Sequence, residues 1–319
     1  MDSIPFIYGA ILIIVQKEIS KMNAAKLMPG DVIGIICPCH TADKERYTRF
    51  FSGINKLGFK VKEGKNLYKT TYGYAASEQE RADDFNDMIL DPEVKMILFG
   101  GGNVGNELLP YIDYDAVKKH PKIICSYSNG TTILNTVYAQ TGLTVFYGQF
   151  PGVFANISKY DSAQFHAHFT DESPRIFEKN SEWTCLRNGI CEGTLIGGYT
   201  TCFAFLLGSK YFSYDKDKDY ILFLENYEAF NEPSRISAHL AHIEQHEFMD
   251  HVKGLLFGHY SEKVYPELIE SLKRFGERHH IPVVMCDDFG HGKNHGILPI
   301  GAHARLDADA KTLQFLDPP

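Results

Sequence analysis

The segment Lys122–Asn135, KIICSYSNGTTILN, holds the residue best placed for covalent chemistry. An apolar run that reads as a strand passes into Ser126-Tyr127-Ser128-Asn129-Gly130 and then into a helical pattern. A serine on so tight a strand-to-helix turn projects its hydroxyl off the sheet. Small residues are then needed two before and two after it, and here they are Ser126 and Gly130. Free N–H groups at the start of the next helix face a developing oxyanion. A serine hydroxyl is a poor nucleophile at neutral pH and needs a base, itself oriented by a carboxylate. Two later segments supply these groups. Tyr220-Ile221-Leu222-Phe223-Leu224 reads as a buried strand ending in Glu225, and Val283–Cys286 leads to His291 between Gly290 and Gly292. His295, four residues on, is a rival base. Taken singly, Ser128 would serve equally as a helix cap, Glu225 as a surface residue closing a strand, and His291 as one of 14 histidines. Together, in the order Ser, Glu, His, they spell acyl transfer.

The elements that must position these groups alternate. Strand patterns at 31–37, 59–61, 95–99 and 122–127 are separated by helical patterns at 43–57, after the capping-box sequence Ser77-Glu78-Gln79-Glu80, and up to Gly142. This α/β alternation predicts a parallel sheet with helices on both faces. Residues 157–182 are polar with weak periodicity and read as a linker. A second half, 183–319, holds a strand into Gly197-Gly198, strands at 220–224, 255–257 and 282–286, and helices at 233–252 and 264–279. Its end, 297–316, reads as a β-hairpin turning near Asp307-Ala308-Asp309. The domains expected are an N-terminal α/β domain at 22–156 with the nucleophile and a C-terminal domain at 183–319 with Glu225 and His291.

Composition narrows the function. The 319 residues carry 32 Lys and Arg against 40 Asp and Glu, a net charge of −8, which gives no electrostatic case for a nucleic-acid partner. Seven cysteines without a disulfide rhythm fit a reducing, cytoplasmic compartment. Cys37-Pro38-Cys39-His40 has C-x-C spacing and no second pair, so buried thiols at a strand end are expected rather than a metal. The apolar run Ile4–Val15 is shorter than the roughly 20 residues of a spanning helix. It follows Asp2 rather than a basic segment. No membrane association is expected, and residues 1–21 are expected to be an extension outside the catalytic fold, with an upstream misread start as one explanation.

From Met28 to Leu306 the chain resembles the LD-carboxypeptidases of murein recycling and the related microcin C immunity peptidases. The blocks that carry the resemblance are GGGNVGNELLPYIDYDAVKKHPKII, SYSNGTTILN, EGTLIGG, ILFLENYE and FGHGKNHGILPIG. It implies that Ser128 is the nucleophile, Glu225 the carboxylate and His291 the base, with backbone N–H groups of Gly102 and Asn129 as the oxyanion hole. Gly101, Asn103, Trp183 and Tyr199 are the expected substrate contacts. Trp183, the only tryptophan, would either stack on a base or anchor the second domain. The implied fold is an N-terminal α/β domain joined to a smaller C-terminal α/β domain, with the site between them, no metal or cofactor, and a homodimer. Three positions depart from the family pattern: Asn129 stands for Asp, Gly100 for the Arg of many carboxypeptidases, and Tyr199 for Asn. Asn103 and the NELLPYIDYD block are closer to the microcin branch, whose substrates join an aminoacyl group to a nucleotide-like moiety. The expected substrate is thus a murein-derived peptide or a peptidyl-nucleotide. The alternatives are a catalytically weakened binding protein on the same fold and a general α/β-hydrolase esterase.

Overall fold

The computed structural model describes residues 22–318. The proposed extension at 1–21 lies outside the described residues. The first half builds β1 (Val32–Ile36), α1 (Lys44–Lys56), β2 (Lys60–Glu63), α2 (Glu78–Leu90), β3 (Val94–Phe99), α3 (Tyr114–Lys119), β4 (Ile123–Ser126), α4 (Thr131–Thr141), β5 (Val145–Tyr147) and α5 (Lys159–Phe169). The second half builds β6 (Thr184–Arg187), β7 (Ile190–Tyr199), α6 (Thr200–Leu206), β8 (Tyr220–Glu225), α7 (Pro233–Glu244), β9 (Val252–Phe257), α8 (Pro266–His279), β10 (Val283–Met285), β11 (Leu298–Ile300), β12 (His303–Asp307) and β13 (Thr312–Phe315).

In the first sheet the order is β11-β5-β4-β3-β1-β2, with β1 to β5 parallel and β11 antiparallel to β5. Its inner strands β1, β3 and β4 are apolar on both faces, as a sheet covered on both sides requires, while the edge strand β2 is polar and exposed. Met96 and Leu98 enter one core with α1 and α5 residues such as Ile54, Phe165 and Phe169. Ile97 and Phe99 point the other way, into a core shared with α2 to α4 and the whole second half. Local signals behave as their chemistry dictates. Ser77 and Glu80 close a reciprocal capping box at the start of α2, and Gly142, at φ 75°, ends α4 in the left-handed conformation.

The second sheet runs β13-β12-β7-β8-β9-β10-β6, with β7 to β10 parallel. The halves meet where α4 docks on the end of β7. Asn135 Nδ2 donates to the Gly197 carbonyl at 2.8 Å, and Thr131 Oγ1 accepts from Tyr199 N at 2.8 Å. A Cβ at Gly198 would lie 2.4 Å from Thr131 Oγ1, so only glycine admits this approach.

Two sequence expectations are corrected. The stretch 157–182 is not bare linker, because it contains α5, whose Phe165 and Phe169 complete one face of the first sheet. The terminal hairpin is β12–β13 alone; Leu298–Ile300 instead crosses to pair with β5 in the first sheet.

Candidate active site

Ser128 sits one residue beyond the extended Tyr127, at the mouth of a 3₁₀ turn that leads into α4. Its φ is 55°, a left-handed conformation that an L-residue holds only when its surroundings impose it. The requirement for small flanking residues has a direct cause here: a Cβ at Gly130 would come within 2.1 Å of Ser126 Oγ.

Glu225 ends β8 and is fully buried, while the His291 side chain is 9% exposed. The imidazole Nδ1 lies 3.0 and 2.9 Å from the two Glu225 oxygens, and Nε2 lies 3.0 Å from Ser128 Oγ. With Nδ1–H donating to the carboxylate, Nε2 is free to accept the serine proton, the polarity a serine nucleophile needs. Gly290, at φ 100°, brings the chain so close that a Cβ there would lie 2.7 Å from Glu225 Oε2. Around the imidazole, Tyr227 stacks at 5.6 Å and 9°, and Tyr127 and Tyr199 lie at 5.0 and 5.1 Å between ring centres.

The rival base His295 is engaged elsewhere. Its Nδ1 is 3.3 Å from Asp161 Oδ2, and its N–H donates to Asp161 Oδ1 at 2.8 Å. Gln164 Oε1 accepts from Ile297 N at 3.0 Å. Polar residues of α5 therefore hold the chain that leaves His291.

Tyr147 on β5 escaped notice in the sequence. Its hydroxyl donates to Glu225 Oε1 at 2.5 Å and accepts from Ser128 N at 2.9 Å.

The loop after β3 approaches Ser128 from the other side. A Cβ on Gly101 would be 2.4 Å from Ser128 Cβ and 3.4 Å from Asn129 N. Gly102, at φ 149°, has no room for a Cβ, which would lie 2.2 Å from the Cys39 carbonyl oxygen. Asn129 fastens this loop: Oδ1 accepts from Gly105 N at 2.6 Å, and Nδ2 donates to Cys202 Sγ at 3.2 Å. An amide can make both bonds at once. The thiols of Cys37 and Cys39 are buried at the end of β1, and Cys37 Sγ lies 2.9 Å from Tyr47 OH.

These groups open onto a cleft of about 690 Å³. In the first sheet it lies over the carboxyl ends of β1 and β3, where the strand order reverses, the place such sheets hold ligands. Gly101, Gly102, Asn103, Asn129 and Tyr199 all line it. Trp183 does not. It is 2% exposed, packs on Phe177 and donates from Nε1 to the buried Asp288 at 2.7 Å, so no ring face is open to a ligand. The exposed rings at the cleft are Phe205 and Phe230, each 66% accessible, and Arg46 is its one lysine or arginine among the described residues. Sequence reading passed over all three, because exposed residues on α1, on α6 and in the turn before α7 carry no periodic signal.

Residues 33–148 match the LD-carboxypeptidase N-terminal domain and residues 192–306 the LD-carboxypeptidase C-terminal domain. A Vibrio cholerae protein named as a carboxypeptidase is 30% identical over 93% of this chain and 98% of its own. The microcin C7 self-immunity protein MccF of Escherichia coli is 28% identical over 92% of this chain and 95% of its own. The structure of MccF in complex with glutamyl sulfamoyl guanosine superposes with a TM-score of 0.81 at 25% identity, covering 92% of this chain and 97% of that one.

Proposed function

This chain belongs to the LD-carboxypeptidase family, and from that premise we propose that it is a serine peptidase working through an acyl-enzyme. Ser128 attacks an amide carbonyl while His291 takes its proton. Glu225 holds the imidazole and offsets the charge it gains. The N–H groups of Gly102 and Asn129 receive the oxyanion. The protonated imidazole then delivers its proton to the leaving amine, and water attacks the ester by the same relay in reverse.

The observation that carries this reading is the unbroken contact from Ser128 Oγ through His291 to Glu225, at 3.0 and 2.9 Å. It is buried enough for the charges to act strongly and open on one side to the cleft.

The substrate class proposed is a peptide or amino acid joined through a carboxamide-type bond to a nucleotide-like group, as in the ligand bound to MccF. Arg46 offers a cation to an acidic side chain such as a glutamyl carboxylate, and Phe205 and Phe230 offer ring faces to an aromatic leaving group. The seven free thiols suit a reducing cytoplasm, and a homodimer belongs to the same proposal. Among the described residues no helix is long and apolar enough to cross a membrane.

The test offers an aminoacyl-sulfamoyl adenosine and a murein tetrapeptide side by side to the protein and to Ser128→Ala. Cleavage of the first, abolished in the variant, supports the proposal. Cleavage of the tetrapeptide alone redirects the substrate, and turnover that survives in Ser128→Ala sinks the mechanism.

A further inference from the structure

One phenol touches both ends of the Ser128–His291–Glu225 relay, at the Ser128 backbone N–H and at the Glu225 oxygen that also lies 3.0 Å from His291 Nδ1. Tyr147 OH donates to Glu225 Oε1 at 2.5 Å while accepting the backbone N–H of Ser128 at 2.9 Å. We propose that Tyr147 is a positioning residue that clamps the nucleophile's backbone to the buried acid and, through that acid, sets how tightly His291 holds a proton. This inference rests on the serine-peptidase reading of the same site.

Three observations carry it. Ser128 is held at φ 55°, and its buried N–H needs an acceptor wherever it points. The phenol is that acceptor, so the left-handed conformation and the Tyr147 bond stand or fall together. The clamp is also rigid. Tyr147 is fully buried and pairs with Ser126 of β4 on one side and Leu298 of β11 on the other. Its ring lies 5.7 Å from that of Phe223 on β8. Finally, the hydroxyl remains a donor throughout the working range, because burial and the Glu225 charge push its proton affinity up.

A hydroxyl donating to a carboxylate spreads the negative charge that the imidazolium feels. Removing it must raise the proton affinity of the Glu225–His291 unit, wherever in the unit the proton resides. Other titratable groups face that unit. Tyr127 comes from the turn after β4, Tyr199 from the end of β7, Cys202 from α6 and Tyr227 from the segment after β8. Burial pushes the Tyr127 and Tyr199 phenols up and the Cys202 thiol up to about 12. His40, across the cleft, is pushed down by burial, and Arg46 on α1 acts electrostatically on both His40 and Tyr127. A His40→Asn background therefore removes the competing titration from the acid limb.

The experiment follows the rate of Ser128 modification by a fluorophosphonate from pH 5 to 9, read by intact mass, so that no substrate need be assumed. In the His40→Asn background it compares the native tyrosine, Tyr147→Phe, and 3-fluorotyrosine at position 147, whose hydroxyl is the stronger donor. The phenylalanine variant should react about tenfold slower or worse, with its acid limb moved to higher pH. The fluorotyrosine protein should move the limb to lower pH. If Tyr147→Phe does not fold, the fluorotyrosine limb alone decides. An unchanged rate overturns the inference. So does a slower rate with an unmoved limb, which marks a merely structural residue, or a fluorotyrosine limb that stays or rises. Modification that persists in Ser128→Ala fails the underlying site reading instead, whatever position 147 does.

Discussion

Gly101 lies against Ser128 so closely that a methyl carbon on it would stand 2.4 Å from Ser128 Cβ and 2.7 Å from Oγ. Gly101→Ala is expected to push the serine out of line with His291 while leaving the fold intact. Displacement of a nucleophile by about 1 Å costs on the order of 10²-fold in rate. The check is the second-order rate of fluorophosphonate labelling beside the melting temperature. A native rate would show that the loop yields instead of the serine.

The left-handed Ser128 predicts a trade of stability against activity. Ser128→Ala and Ser128→Gly should both lose roughly 10⁴- to 10⁶-fold in turnover. They should differ in stability, because alanine keeps the strain at φ 55° and glycine does not. The glycine variant should exceed the alanine variant by about 1 kcal/mol in urea unfolding. Equal midpoints would mean the turn is not strained.

Trp183 should matter to the fold of the His291 segment and not to the identity of the leaving group. Asp288, which it caps, is fully buried and also accepts from Asn180 N at 3.1 Å and Asn294 Nδ2 at 3.2 Å. Trp183→Phe leaves one carboxylate oxygen short of a donor, at a cost of about 1–3 kcal/mol. Turnover of peptide and nucleotide substrates should fall by the same factor. A loss confined to nucleotide substrates would restore the stacking role.

Burial pushes the His168 imidazole down to about 3, and Lys26 adds to the effect. The folded state thus binds the proton less tightly than the unfolded chain. The stability due to neutral His168 is present above about pH 6.5 and is lost as pH falls toward 3, by up to about 1.4 kcal/mol per unit. His168→Phe should flatten that slope in urea melts at pH 4 to 7. An unchanged slope would assign the acid sensitivity to other groups.

Glu225 was legible because it ends an apolar strand and Ser128 because it follows one closely, at the edge where a parallel sheet delivers side chains; His291 was legible by the glycines that flank it in the loop beyond β10. The capping box at Ser77 and the stop at Gly142 were legible from helix-end chemistry alone. α5 was not, because its buried face carries Asp161, Gln164 and His168 among the aromatic residues. Two of these polar groups face inward to hold the backbone after His291. A helix that supports a site in this way loses the apolar stripe by which helices are recognised. Tyr147 was hidden differently: on a three-residue buried strand it reads as core, and only the direction of its hydroxyl reveals more. Trp183 shows the converse, a conspicuous residue whose polar atom is spent on structure.

The crossing of β11 into the first sheet bears on how the chain is made. Translation delivers β1 to β5 early, yet the outer side of β5 remains an open, apolar rim until residues 298–300 leave the ribosome. Such rims invite association with other nascent chains. The sheet that carries Ser128 therefore closes only after His291 has been translated.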